Sequence, residues 1–476
     1  GAQRGQLMRQ FWGEAVVMTA LALLVGLGLA VLALPWFNTL TGQNLSLSTF
    51  EAGEVALALL ALLAVVGFVA GGYPAALLSR FRPAAVLKGQ TQARGNSLLT
   101  RGLVVLQYTI SIGLIAGTIL MTQQLGYLLD RDLGYDDDLV LVVHSGQVSR
   151  SEGPGLLRYF RDTLLPYDAV THIARAGYSF TRGSDRNTWT DGTGTTRSAY
   201  NFGIDFDYVD LMGMEVVDGR NFSRDFPSDS TRSVLVNEAL VREFGLEEPV
   251  GTRLDGWLDG IYMEAPTIIG VVKDFNFQSL RNEVEPAVMN MHPDYYNYIG
   301  AILLKIRPDD VAGTLARVEA AWETALPGKP FSYSFLDEDL AAQYQTEQRW
   351  RRIVTFSSVL AVLIACLGLF GLATLSVARR TKEIGIRKVM GASVPALVRL
   401  IAIEFVKLVA VAAVIASPLA YLGARRWLDD FAYRIDIGPA AFVGAALAAL
   451  AVALLTVSYH AVRAALADPV KSLRYE

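Results

Sequence analysis

Six long stretches of apolar residues constrain this sequence more than any other feature. A helix that crosses the hydrocarbon core of a bilayer needs about 20 mostly apolar residues. Stretches such as VALALLALLAVVGFVAGG (55–72) offer no polar face to water, so we interpret them as membrane spans rather than as buried helices of a soluble protein. The six predicted spans are residues 15–36, 55–78, 103–123, 353–378, 396–423 and 440–460.

The composition agrees with a membrane protein that also contains a soluble domain. Of the 476 residues, 18% are charged and 52% are hydrophobic, whereas soluble domains average about 25% charged residues. The net charge is −4, so nothing indicates a nucleic-acid partner. The single cysteine, Cys366, excludes an intrachain disulfide, and the histidines are too far apart in sequence to suggest a metal site.

Lysine and arginine residues predict the orientation of the spans, because they accumulate in short loops on the cytoplasmic side. The loop NTLTGQNLSLSTFEAGE (38–54) contains neither residue, whereas the connections on the opposite side are rich in both. We therefore expect the basic connections to face the cytoplasm and residues 130–350 to form an extracytoplasmic domain. The basic residues concerned are Arg80, Arg82, Lys88, Arg94, Arg101, Arg379, Arg380, Lys382, Arg387 and Lys388.

The region 130–350 is predicted to fold as an α/β domain, because short β-branched runs alternate with helical patterns. Gly245 is predicted to end one of the helices. The flanking stretches 123–136 and 337–353 are predicted to extend the neighbouring spans into the domain as two helical stalks. The runs that predict strands and helices are DDLVLVVH (137–144), SVLVNEALVREFGL (233–246), APTIIGVVKDFNF (265–277), AILLKIRP (301–308) and FSYSFLDEDL (331–340).

A search for catalytic motifs finds none. Asp205, Asp207 and Asp210 lie close together and could be metal ligands or general acids. We favour solvated turn and capping residues, because the full spacing of a calcium loop does not follow them. The only Gly-Lys pair, at 328–329, is followed by proline, so the sequence offers no Walker A loop. The chain is therefore predicted to hold no cofactor or metal and not to hydrolyse ATP itself.

Two pairs of similar stretches indicate an internal repeat. GAQRGQLMRQFWGEA (1–15) is similar to GASVPALVRLIAIEF (391–405), and YPAALLSRFRPAAVLK (73–88) is similar to YHAVRAALADPVKSLR (459–474). We interpret residues 1–90 as the last two membrane helices of an upstream repeat unit, and we expect the chain to be a fragment or a processed product. The next unit is predicted to contain a cytoplasmic linker and one span (91–129), the extracytoplasmic domain (130–350), and three spans with a cytoplasmic loop (379–393) and a cytoplasmic tail (351–476).

The stretch RRTKEIGIRKVMGAS (379–393) is predicted to form a short amphipathic helix. Glu383 precedes Arg387 by four residues, which is the favourable order for an ion pair on a helix. Ile386 and Met390 lie on one apolar edge at helical spacing. Anionic lipid head groups would need only the charges, whereas a groove in a partner protein would also use the apolar edge. The two roles can coexist.

Three stretches carry a resemblance to a known family: RRTKEIGIRKVMGAS (379–393), residues 212–286, and FLDEDLAAQYQTEQRW (335–350) together with CLGLFGLATLSVARRTKEIGIRK (366–388). On these residues the chain resembles the FtsX-like (MacB-type) permeases of ABC transporters. The resemblance implies a polytopic α-helical protein of the bacterial plasma (inner) membrane, with one extracytoplasmic α/β domain of the MacB periplasmic core type. It also implies two partners, a cytoplasmic ABC ATPase dimer that carries the ATP and Mg²⁺, and a second permease unit.

The same resemblance implies that a separate ATPase moves the extracytoplasmic domain, for export or mechanotransmission of a peptide, antibiotic or lipoprotein-like substrate. The alternative is a membrane sensor or regulatory scaffold that controls an extracytoplasmic partner such as a cell-wall hydrolase. Under the first reading, the residues expected to contact the ATPase are Lys382, Glu383, Ile384, Gly385, Ile386, Arg387, Lys388, Met390 and Gly391.

Small and charged residues inside the predicted spans raise two further alternatives. Gly368 and Gly371 permit close helix packing, either within the chain or at a face between permease units. Glu404 and Lys407 lie near the predicted start of a span, where an interfacial ion pair is favoured over a proton relay.

Overall fold

The chain folds into two compact units, which are described separately. The membrane unit comprises residues 1–122, 347–424 and 437–476, and the α/β unit comprises residues 123–346 and 425–436. The computed structural model describes residues 4–42, 44–46, 52–78, 95–145, 148, 152–179, 185–257, 265–292, 299–379 and 381–466. The predictions made for residues 79–94 and 467–476, which include the ends of the proposed repeat, therefore lie outside the described residues.

Helices account for nearly all of the membrane unit and for the outer layers of the α/β unit. They are α1 (Arg4–Thr41), α2 (Ala52–Leu78), α3 (Gly95–Leu129), α4 (Gly153–Leu164), α5 (Tyr208–Leu211), α6 (Asp229–Arg232), α7 (Glu238–Phe244), α8 (Val311–Ala325), α9 (Leu336–Gln343), α10 (Gln345–Arg379), α11 (Thr381–Val389), α12 (Val394–Leu428) and α13 (Ala440–Leu466).

Five helical segments are long and apolar enough to cross a membrane, and they coincide with five of the six predicted spans. The remaining predicted span, 55–78, lies within α2, but its described apolar stretch, Gly53–Val69, is shorter. The predicted count of six therefore exceeds by one the number that the described residues support. The five segments are Met8–Thr39, Thr100–Leu129, Gln345–Val377, Val394–Leu428 and Ala440–Tyr459.

The core of the membrane unit is built largely from alanine. Lipid tails are as apolar as leucine, so helices in a bilayer associate through close packing of small residues. Larger buried side chains, such as Ile112, Leu369 and Phe405, fill the space between them. The buried alanines of this core are Ala116, Ala365, Ala373, Ala402, Ala412, Ala416, Ala445, Ala449 and Ala453.

Among the residues that the structure describes, ten strands form two sheets in the α/β unit. A four-stranded antiparallel sheet has the order β10-β1-β9-β2, and a six-stranded mixed sheet has the order β3-β4-β8-β6-β7-β5. The β4–β8 and β6–β7 pairs are parallel. The strands are β1 (Val140–His144), β2 (Val170–Ala176), β3 (Asp185–Thr190), β4 (Thr196–Gly203), β5 (Val216–Gly219), β6 (Ser233–Asn237), β7 (Thr267–Val272), β8 (Ala287–Asn290), β9 (Ala301–Ile306) and β10 (Tyr333–Phe335).

Period-2 alternation of apolar side chains places the cores on both faces of the first sheet. Val140 and Val142 of β1 point into a core shared with residues of the second sheet, such as Phe202. Leu141 and Val143 point to the opposite face and pack in the cluster that contains the α4 and α8 side chains. Because both faces are covered, β1 reads in the sequence as a continuous apolar run rather than an alternating one.

The predicted strands and helices of this unit are present, and their ends follow local rules. The Asn237 side chain caps α7 by accepting a hydrogen bond from the Leu240 N–H at 3.1 Å. Gly245 follows this helix with φ of 67°, a conformation that glycine adopts without strain. The predicted stop at Gly245 is confirmed.

The two predicted stalks differ. On one side α3 ends at Leu129, so the predicted stretch 123–136 is helical only over its first half. On the other side the predicted stretch 337–353 is helical except at one residue, because α9 ends at Gln343 and α10 begins at Gln345. Tyr344 between them is buried, and its hydroxyl accepts a hydrogen bond from the Leu280 N–H at 2.9 Å. The break therefore directs Tyr344 into the interior of the α/β unit.

Candidate functional site

Helix α11 occupies most of the stretch that the sequence singled out. It begins at Thr381, directly after Arg380, which lies outside the described residues. Its last turn is closed by hydrogen bonds from the Met390 N–H to the Ile386 carbonyl at 3.0 Å and from the Ala392 N–H to the Arg387 carbonyl at 2.9 Å. Gly391 adopts φ of 91°, which lets the chain turn from α11 towards α12.

The charged side of α11 contains the predicted ion pair. Arg387 Nη2 lies 2.9 Å from Glu383 Oε1, with both side chains about half exposed. Pairs of this kind on a helix surface contribute about 0.3–0.5 kcal/mol. The pair therefore orients the two side chains more than it stabilises the fold.

The apolar edge of α11 is open. Ile386, Val389 and Met390 are 46%, 66% and 80% exposed. None of them lies in a segment that is long and apolar enough to span a membrane, so membrane crossing does not account for their exposure. An apolar edge beside charged residues on a short helix is typical of a surface that fits a groove in another protein. The side chains of Lys382, Ile384 and Gly385 lie outside the described residues, and the contact role of the whole set remains a prediction.

The two glycines predicted for helix packing occupy different surroundings. A Cβ atom on Gly368 would lie 2.8 Å from Gln107 Oε1, the flexible end of a side chain on α3. A Cβ atom on Gly371 would meet nothing within 4 Å. Glu404 lies 3.9 Å from Arg101, a partner that the sequence did not indicate. This pair joins α12 to α3.

The three aspartates of the α/β unit do not form the solvated cluster that we expected. Asp205 is 1% exposed, and its Oδ2 accepts hydrogen bonds from Arg161 Nη2 at 2.7 Å and from the Arg175 N–H at 3.3 Å. The turn-and-cap interpretation is therefore wrong for Asp205, because the fold buries it between two arginines. Arg161 lies on α4 and Arg175 on β2, so this cluster joins the end of β4 to both elements.

Asp207 and Asp210 behave differently from Asp205. Asp207 accepts hydrogen bonds from Arg161 and from Arg224, the latter at 2.7 and 3.0 Å. It precedes α5 without capping it. Asp210 is exposed and accepts one long bond, 3.3 Å, from Asn221 Nδ2. Among the described residues no group of three acidic, histidine or cysteine side chains could hold a metal ion.

Burial governs the protonation of Asp205. It raises the pKa of Asp205 to about 6, while the neighbouring Arg161 and Arg175 act in the opposite direction. The burial of Arg175 was not recognisable from the sequence, because arginine is buried only when it is paired. The cluster is a structural clamp with a titratable member.

Two family profiles match the chain. The profile of the FtsX-like permease C-terminal region matches residues 1–83 and 355–469. The profile of the MacB-like periplasmic core domain matches residues 102–321. Helix α11 lies in the second matched part of the first profile, and the Asp205 cluster lies in the match to the second profile.

Three relatives of known sequence are similar to the chain at low identity. It is 26% identical over 209 residues to the macrolide export ATP-binding/permease protein MacB of Aggregatibacter actinomycetemcomitans. That alignment covers 41% of this chain and 31% of MacB. It is 23% identical over 296 residues to the Bacillus subtilis ABC transporter permease YvrN, covering 58% of this chain and 70% of YvrN. It is 24% identical over 284 residues to the B. subtilis ABC transporter permease YknZ, covering 58% of this chain and 69% of YknZ.

Two solved structures are similar to part of the chain. The periplasmic region of MacB from Actinobacillus actinomycetemcomitans aligns with 18% identity and a TM-score of 0.32, over 45% of this chain and 96% of that one. The extracellular domain of the transporter YknZ aligns with 15% identity and a TM-score of 0.28, over 41% and 97%.

Proposed function

This chain belongs to the FtsX/MacB-type ABC transporter permeases, with an FtsX-like membrane region and a MacB-like periplasmic core domain, and we propose that it couples a separate ATPase to that domain. ATP hydrolysis on a cytoplasmic ABC ATPase dimer displaces α11, and the displacement reaches the periplasmic domain through the membrane helices. The chain itself supplies no phosphate-binding loop, since its sequence has no Walker A motif. ATP and Mg²⁺ are bound by the partner.

The open apolar edge of α11 is the observation that carries this proposal. Ile386, Val389 and Met390 are exposed on a short helix whose charged side is held by the Glu383–Arg387 pair. Lipid head groups would select for the charges alone, whereas a groove in a protein would bury the apolar edge and leave the charges at its rim. The combination of both features supports a protein partner.

The site of action is proposed to be the bacterial inner membrane, and the cargo an antibiotic, peptide or lipoprotein-like molecule. MacB is named a macrolide export protein, and this name supports export. A second permease unit, either the upstream repeat or another copy, would complete the machine. Gly371 on α10 has open space beside it and would suit the face of such a pair.

The test is capture of the ATPase by the complete protein, purified in detergent from its native host. Met390→Asp places a charge on the most exposed apolar position, and Arg387→Glu reverses the charge beside it. We expect each variant to retain at most about a tenth of the wild-type ATPase, because a buried unpaired charge costs several kcal/mol at an interface. The bound proteins would be quantified by mass spectrometry.

Two matched controls accompany these variants. Met390→Leu keeps the apolar edge and should retain the ATPase. Arg426→Glu makes the same charge reversal at an exposed arginine at the other end of α12 and should also retain it. If Met390→Asp and Arg387→Glu capture as much ATPase as the wild type, α11 is not the docking site. If the wild type captures a signalling protein and no ATPase, the sensor alternative replaces the permease function.

A further inference from the structure

The connection between α12 and α13 is held inside the α/β unit by one buried side chain. Gln124, on α3, is fully buried. Its Nε2 donates to the Tyr433 carbonyl at 2.9 Å, and its Oε1 accepts from the Ile435 N–H at 2.9 Å. Both groups of the carboxamide are thus satisfied by the backbone of one short segment, residues 429–436. Breaking either bond would leave a buried polar group unpaired.

An aromatic anchor holds the same segment. Phe431 is 3% exposed and packs with Leu125, Leu128, Leu280 and Tyr344. Truncating a buried phenylalanine would remove these contacts and leave a cavity, so the Phe431 ring anchors the segment in the interior of the α/β unit.

Backbone and arginine contacts complete the attachment. The Ala432 N–H donates to the Arg281 carbonyl at 2.9 Å. The Arg281 guanidinium lies 4.8 Å from the Phe431 ring centre, and the Arg131 guanidinium lies 4.0 Å from that of Tyr433. We refer to residues 429–436 with these contacts as the clasp.

The clasp contains residues that belong to, or directly adjoin, four helices. Gln124 and Leu128 belong to α3, and Tyr344 directly precedes α10. The segment itself follows α12 and leads to α13. Of these helices, α3 extends into the α/β unit as far as Leu129, and α10 begins at its boundary. The other two, α12 and α13, would otherwise be attached to it only through a short loop.

We propose that the clasp is a third mechanical connection, through which displacement of α12 and α13 reaches the periplasmic domain, and that Gln124 is its positioning residue. This inference rests on the proposed function. Helix α11 leads directly into α12 through Gly391, so a force on α11 acts on α12 as well as on α10. A loop that was free to slide would absorb that movement, whereas a packed contact with two fixed backbone bonds passes it on.

The test compares Gln124→Leu with Gln123→Leu in the complete protein, reconstituted with its ATPase in nanodiscs. Gln123 is the exposed neighbour on the same helix, so the control makes the same chemical change outside the clasp. Amide hydrogen exchange is measured by mass spectrometry with and without a non-hydrolysable ATP analogue. ATPase capture is measured on the same samples.

We expect the wild type and Gln123→Leu to show the same nucleotide-dependent change in exchange in the periplasmic domain. Gln124→Leu should capture the ATPase normally, exchange the amides of residues 432–436 at least about tenfold faster, and lose most of the nucleotide-dependent change. A full nucleotide-dependent change in Gln124→Leu would overturn the clasp proposal and leave the proposed function intact. Absence of the change in the wild type would overturn both.

A second variant covers the case in which Gln124→Leu cannot be purified. Gln124→Asn keeps the carboxamide but is one methylene shorter, so it cannot make both backbone bonds at their present lengths. It should show the same loss of coupling with a smaller effect on folding. Undiminished coupling in Gln124→Asn, with faster exchange at 432–436, would also overturn the proposal.

Discussion

The two units of this chain differ in how often they bury small residues. In the membrane unit half of the buried core residues are alanines, while Leu32, Leu367 and Leu455 are more than 70% exposed. In the α/β unit the largest fully buried side chains are Trp257 and Trp322. One unit is arranged for lipid, where large apolar side chains face outward, and the other for water, where they face inward.

The interpretation of an exposed apolar residue therefore depends on the part of the chain in which it lies. On the spanning helices such a residue carries no functional information, because lipid covers it. On α11, which lies outside the spanning segments, exposed apolar residues lack that explanation. The clasp shows the reverse case, since Phe431 lies in a connection between spans and is nevertheless buried. The following predictions test this contrast between the spanning helices, α11 and the α/β unit.

The largest effect is expected at the buried aspartate of the α/β unit. Asp205→Ala should lower the free energy of unfolding by about 3–5 kcal/mol, because it leaves Arg161 and Arg175 without a buried partner. The exposed Asp210 provides the control, and Asp210→Ala should change the free energy by about 0.5 kcal/mol or less. Denaturant unfolding followed by tryptophan fluorescence would measure both. Equal losses of unfolding free energy in the two variants would show that burial does not determine how much Asp205 contributes to stability.

A pH dependence should follow from the same residue. The folded protein holds the pKa of Asp205 at about 6, above the ordinary value of about 3.9 that it takes in the unfolded chain. Between these values the folded state binds the proton more tightly, so the contribution of Asp205 to stability is fully present below pH 4 and is lost as the pH rises through 6. The contribution of Asp205 should fall by about 2 kcal/mol between pH 4 and pH 7.

Asp205→Asn is the control for this dependence, because asparagine does not titrate. Unfolding curves at pH 4, 5, 6 and 7 should show that the wild type and this variant diverge across the window. Parallel curves would contradict a raised pKa at Asp205.

In the membrane unit the matched pair is Gly368 and Gly371. Gly368→Leu must displace Gln107, so it should destabilise the unit by about 1–3 kcal/mol through overpacking. Gly371→Leu has open space and should change stability by about 0.5 kcal/mol or less. Thermal unfolding in detergent, followed by size-exclusion chromatography, would measure the difference. A larger loss for Gly371→Leu would mean that a second permease unit covers this position in the purified protein.

The smallest effect is expected on α11. Met390→Ala should leave the free energy of unfolding within about 0.5 kcal/mol of the wild type, because the side chain is 80% exposed. The measurement is the same thermal unfolding, without the ATPase. A loss above about 1 kcal/mol would show that the edge is covered within the chain, and the contrast between α11 and the spanning helices would fail.

Sequence patterns predicted the elements whose causes are local. The Glu383–Arg387 pair joins residues four positions apart on one helix, and the stop at Gly245 depends on glycine's own conformational freedom. The apolar edge of α11 likewise follows from spacing alone. These features need no knowledge of what lies elsewhere in the chain, so the sequence was sufficient to predict them.

Burial of single polar residues could not be predicted in this way. Gln123 and Gln124 are chemically identical neighbours, and one is exposed while the other is fully buried. The partners of Gln124, Tyr433 and Ile435, lie 309 and 311 positions away. Asp205 was interpreted as solvated for the same reason, because its arginine partners come from other elements.

Sequence patterns were enough to predict several membrane spans, an α/β domain and a short amphipathic helix between two spans. These properties depend on hydropathy and on periodicities of two or 3.6 residues, which a linear chain displays directly. The folded structure was needed to show that Asp205 is clamped, that the second stalk breaks at Tyr344 and that Gln124 holds the α12–α13 connection. Such contacts exist only after distant segments have been brought together, and no local pattern encodes which of two similar side chains will meet the other segment.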